Sequence, residues 1–77
     1  MQPVQCKMAR VAVGWGVRDL ARAAEVSTDT IARLERGEVL KASTLAAIRL
    51  ALEAAGVEFI PAGTSGPGVR LARPPPD

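Results

Sequence analysis

The chain has 77 residues, a formal net charge of +2, one cysteine and no histidine, and its aromatic content is one tryptophan and one phenylalanine. That length holds one small domain with a limited core, which Ala, Leu, Val and Ile must build. The cysteine and histidine counts exclude an internal disulfide framework, a Cys/His zinc site and a Ser-His or Cys-His nucleophile.

No apolar run reaches the roughly 18 residues of a membrane span, and residues 1–15 lack the charged and apolar blocks of a signal peptide. A cytoplasmic protein without metal, cofactor or membrane contact is expected. The mild positive charge permits a polyanionic partner without demanding one.

Residues 1–3 read as a frayed start. Over 4–13 the apolar residues Val4, Met8, Val11 and Ala12 recur at helical spacing. "GWG" at 14–16 breaks that helix, and Gly16 caps the next over 17–24, with Asp19 in its first turn. Ser27 is a strong N-cap for a third helix over 28–36, where Ile31 and Leu34 face inward and Gly37 stops the helix. After a connector, Ser43 reads as the cap of a fourth helix running to Gly56, with Leu45, Ile48, Leu52 and Ala55 as its apolar stripe. The period then changes to two. "VEFIP" and "VRLAR" flank the turn-rich "AGTSGPG" and predict a hairpin over 57–72, and residues 73–77 read as a disordered polyproline-like tail. The fold class is therefore mainly α, four helices with a short C-terminal β-hairpin.

Helices two and three are joined by very few residues, with small Ala21 and apolar Val26 at the junction. Ile31 and Leu34 can then pack back on Leu20 and Ala21, the pattern of a helix-turn-helix unit. The stretch "VRDLARAAEVSTDTIARLERGE" resembles the lambda-repressor-like, Cro/C1-type (XRE) family through its L-A-x-x-x-x-V-S-x-x-T-I-x-x-x-E-x-G pattern, and residues 1–56 form the matching domain. Two positions depart from the residues common in that family: Glu25 stands where the family commonly has Gly, and Gly16 where many relatives carry a Ser, Thr or Asn cap.

The resemblance implies a sequence-specific transcriptional regulator of double-stranded DNA, with helix 28–36 in the major groove. By the same likeness Thr28, Asp29 and Arg33 match base-contacting positions. Arg33 suits a guanine, Asp29 a cytosine amino group, and Thr28 a thymine methyl or a phosphate. As plain helix residues, Thr28 and Asp29 would be first-turn formers and Arg33 a solvated charge. Thr30 reads as structural, holding its own turn. Arg18, Arg22, Arg36, Lys41 and Arg10 are candidate phosphate contacts, or else solvated charges. The family also pairs an Arg of helix one with a Glu late in helix three, here Arg10 and Glu35. That pair either locks the two helices or orients Arg10 toward a phosphate, and the lock is preferred.

Trp15 reads as core cover, and a single tryptophan argues against a single-strand binder, which needs several stacking faces. Cys6 reads as a small helical residue without a redox role. One recognition helix reads few base pairs, so a homodimer on a palindromic operator is expected. Val57, Phe59, Ile60, Val69 and Leu71 are its candidate contacts, the alternative being a hairpin folded on its own fourth helix. A rival class is a protein-binding module of antitoxin or antiactivator type that sequesters a regulatory partner protein. An enzyme is not expected, because "GTSGPG" lacks the lysine and following helix of a phosphate-binding loop.

Overall fold

The structure is a computed structural model that describes residues 1–72, so the tail at 73–77 lies outside the described residues. Its elements run α1 (Pro3–Ala12), α2 (Val17–Ala24), α3 (Thr28–Glu35), α4 (Ala42–Ala54), β1 (Val57–Ile60) and β2 (Gly68–Leu71). The start is not frayed: Pro3 opens α1 at a position where no amide is needed, and Met1 packs against the core.

The three short helices end in the same way. In a Schellman closure the chain turns through one left-handed residue, and two amides fold back onto the last carbonyls of the helix. Gly14 takes that place after α1, with Gly14 N–H on the Val11 carbonyl at 3.0 Å and Trp15 N–H on the Arg10 carbonyl at 2.8 Å. Gly37 takes it after α3. After α2 the residue is Glu25, at φ 57° and ψ 43°, the one non-glycine positive φ among the described residues. The Val26 amide donates to the Ala21 carbonyl at 2.9 Å, which draws half-buried Val26 under the turn. A side chain at such a φ costs about 1 kcal/mol. Glu25→Gly is therefore expected to raise the melting temperature by roughly 4–8 °C without changing the circular dichroism spectrum. A lowered melting temperature would show that Glu25 makes a compensating contact.

One cluster holds the domain together: Cys6 and Ala9 from α1, Leu20, Ala21 and Ala24 from α2, Ile31 and Leu34 from α3, Ile48 and Leu52 from α4, and Val57 from β1. The small residues of α1 and α2 let helix backbones approach closely. This overturns the expected stripe of α1. Its buried face is Gln5, Cys6 and Ala9, while Val4 and Val11 are 53% and 64% exposed. The expected cap of α4 also moves. The helix starts at Ala42 with Lys41 in the cap position, and Ser43 falls inside the first turn. The first intrahelical bond runs from Leu45 N–H to the Lys41 carbonyl at 3.0 Å, and no side chain caps this helix start.

The hairpin pairs Val57 with Leu71, Glu58 with Arg70, Phe59 with Val69 and Ile60 with Gly68. Strand alternation puts Val57, Phe59, Val69 and Leu71 on one face. Glu58 and Arg70 meet across the other in an exposed ion pair at 2.9 Å. The apolar face lies on the protein's own core: Val57 is buried, and Phe59 and Val69 pack against the cluster. Gln5 fastens the hairpin from α1, its side-chain amide donating to the carbonyls of Ile60 at 3.0 Å and Gly68 at 2.9 Å. The Arg49 guanidinium stacks 5.0 Å from the Phe59 ring centroid. An isolated two-stranded hairpin is marginal; this one is stabilised by α1 and α4.

Candidate nucleic-acid interface

The first turn of α3 is set by Ser27. Its Oγ accepts the Thr30 amide at 3.1 Å and lies 2.9 Å from the Thr30 hydroxyl. That bond satisfies one of the orphan amides of the helix start and commits Thr30 to the cap. Thr28 and Asp29 beside it are exposed, and the Asp29 charge suits the positive end of the helix dipole. One turn later Arg33 keeps 42% of its side chain exposed, while Ile31 and Leu34 enter the core. One side of α3 is thus anchored and the other is open.

The Gly37 closure then brings in a residue that the sequence reading passed over. Gly37 N–H bonds the Leu34 carbonyl at 2.9 Å and Glu38 N–H the Arg33 carbonyl at 3.0 Å, which folds Glu38 back over the end of α3. Its carboxylate accepts Arg33 Nε at 3.0 Å through Oε1. Through Oε2 it accepts Arg36 Nε at 3.3 Å and a terminal Arg36 nitrogen at 2.8 Å. The Arg36 and Arg33 guanidinium groups hold the Glu38 carboxyl below the usual carboxylate range. The sequence offered only part of the signal, a C′ glycine followed by an acid; the turned backbone is what brings that acid onto the two arginines.

Beside this group a cleft of about 260 Å³ is lined by Thr30, Arg33, Val39, Leu40, Lys41 and Thr44. It joins the end of α3, the connector and the first turn of α4, so Arg33 and Lys41 face one space. Val39 is 93% exposed at its rim. Arg18 and Arg22 are exposed one turn apart on α2. The start of that helix is held by Asp19, whose carboxylate accepts the Gly16 amide at 2.8 Å. Among the described residues Arg18, Arg22 and Lys41 enter no side-chain hydrogen bond.

Arg10 and Glu35 lie behind the open face. Arg10 donates through Nε at 2.9 Å and a terminal nitrogen at 2.8 Å to the two oxygens of Glu35, and through its other terminal nitrogen to the Trp15 carbonyl at 3.2 Å. Both side chains are 13% exposed. The guanidinium thereby joins α1, the α1–α2 turn and α3, with each of its nitrogens bonded inside the domain. The Cys6 thiol donates to Glu35 Oε2 at 3.4 Å. Burial first, and then the Glu35 charge, push that thiol up to about 12, so it stays protonated and unreactive at neutral pH.

A family model described as a helix-turn-helix domain matches residues 5–59. The matched stretch covers nearly all of α1, the whole of α2, α3 and α4, and β1 as far as Phe59. No curated protein matches the chain.

Proposed function

Because this chain belongs to the helix-turn-helix domain family, we propose that it is a sequence-specific regulator of double-stranded DNA, of the lambda-repressor-like, Cro/C1 type. In this reading α3 lies in the major groove with Thr28, Asp29 and Arg33 at base edges, while Arg18, Arg22 and Lys41 meet phosphates from the flanks. The observation that carries it is the open side of α3: Thr28 and Asp29 exposed at its first turn, and Arg33 sharing one cleft with Lys41. Arg10, fully engaged inside the domain, acts structurally by holding α3 at its angle. No helix among the described residues is long and apolar enough to cross a membrane.

The protein works as a homodimer on a palindromic operator. An eight-residue recognition helix reads only a few base pairs, and two copies spaced about 34 Å apart supply the missing specificity. The hairpin's apolar face is occupied within the chain, but among the described residues each strand of the two-stranded sheet keeps one unpaired edge for a twin.

A second reading, sequestration of a partner protein in antitoxin or antiactivator fashion, is favoured by one observation: Val4, Met8 and Val11 line an open apolar surface along α1. Selection from a random duplex pool separates the two. The DNA reading expects an enriched inverted repeat with half-sites about 10 base pairs apart. Lys41→Ala should then weaken binding to all sequences alike and reduce the salt slope by about 0.9. A pool with no enrichment would overturn the DNA reading and leave the protein-binding one.

A further inference from the structure

Three charged groups cluster where α3 ends, and they are bonded unequally. Among the described residues Arg33 is bonded through Nε alone, which leaves both terminal nitrogens of its guanidinium open. Arg36 has Nε and a terminal nitrogen on one carboxylate oxygen, which occupies one edge of its fork. The carboxylate doing both is Glu38, which reaches back from a closed turn. Gly37 at φ 92° and the Glu38 amide on the Arg33 carbonyl fix the backbone from which it reaches. Side-chain exposures of 42% for Arg33, 59% for Arg36 and 44% for Glu38 put the cluster at the surface. There it adds little to folding stability. A carboxylate among arginines on a phosphate-facing surface also weakens attraction to any duplex, whatever its sequence.

We propose that Glu38 is a specificity-determining residue of this interface: it positions Arg33 for a base edge and withholds Arg36 from phosphates. Held at Nε, Arg33 presents its terminal nitrogens as the fork that matches the paired acceptors of a guanine. Held along one edge of its fork, Arg36 is removed from the sequence-independent contacts that dominate weak binding. Discrimination then comes from both sides, as better aim at the right site and a weaker grip on wrong ones. This inference rests on the DNA-binding reading above.

Glu38→Gln keeps the size and removes the charge, and Glu38→Asp keeps the charge but shortens its reach. Both are compared with the unaltered chain on its selected duplex and on random duplex across a salt series, with circular dichroism to check folding. Glu38→Gln should bind random duplex more tightly, with a salt slope steeper by about one phosphate contact. Its preference for the selected site over random duplex should fall about tenfold or more. Glu38→Asp should keep the weak grip on random duplex and lose affinity on the selected site. If Glu38→Gln left both the salt slope and the preference unchanged while the unaltered chain still discriminated, this role of Glu38 would be wrong and the DNA reading would stand. If the unaltered chain selected no site, both would fall.

Discussion

Glu35→Ala is expected to unfold the domain or leave it at the edge of folding. The substitution removes the acceptor of two Arg10 bonds at 2.9 and 2.8 Å and of the Cys6 thiol, and it strands a guanidinium that is only 13% exposed. Breaking such a pair from one side costs about 3–5 kcal/mol, chiefly because the remaining charge stays buried. A domain of this length has roughly 4–12 kcal/mol in total. Arg10→Ala should be similarly damaging, since Glu35 and the Trp15 carbonyl lose their donor. The double change should cost clearly less than the sum, because neither charge is then left alone. Urea or thermal unfolding of the three variants measures this, and simple additivity would show that the pair is not coupled.

The same pair carries a pH dependence with a definite sign. The Arg10 hydrogen bond holds the Glu35 carboxyl below its ordinary value, against the opposing effect of burial, with smaller help from Cys6 and Lys7. A carboxylate lowered in the folded state binds its proton later than in the unfolded chain. Its stabilisation is therefore fully present above the ordinary carboxylate value of 4.5 and is lost as the pH falls through the lower native one. In the Arg10→Ala, Glu35→Ala double variant that part of the acid sensitivity should disappear.

Arg33→Ala is expected to have the largest effect on recognition while sparing the fold. Its ion pair with Glu38 is exposed at both ends, so the melting temperature should barely move. Affinity for the selected site should fall by about 1–3 kcal/mol, and preference should relax at one base position while the others keep theirs. Equilibrium binding to the selected site and its single-base variants checks both parts. A uniform loss across all variants would make Arg33 a phosphate contact. An unchanged affinity and preference would mean that α3 does not dock in this way.

Where the chain turns and where its helices start and stop is local chemistry, and the sequence by itself determined most of it. Gly16 and Ser27 cap, Gly37 closes, Gly56 ends the fourth helix, and the switch to alternation after Gly56 announces the hairpin. These signals act within a few residues and survive without a neighbour. Which face of a helix is buried depends on what packs against it. In α1 two apolar periodicities compete. The larger residues Val4 and Val11 lose to Cys6 and Ala9, because only small side chains admit the hairpin and α3 so close to that helix. Gln5 looks polar and exposed in the sequence, yet it is buried as the clasp of a hairpin more than fifty residues away. For Glu38 the closing glycine was legible. Its grip on Arg33 and Arg36 was not, because a bond between side chains five and two residues apart needs the turned backbone to bring them together. Residue types and local bonds set the elements of this protein. Packing partners, which act at a distance along the chain, decided which surfaces close into the core and which remain open to solvent.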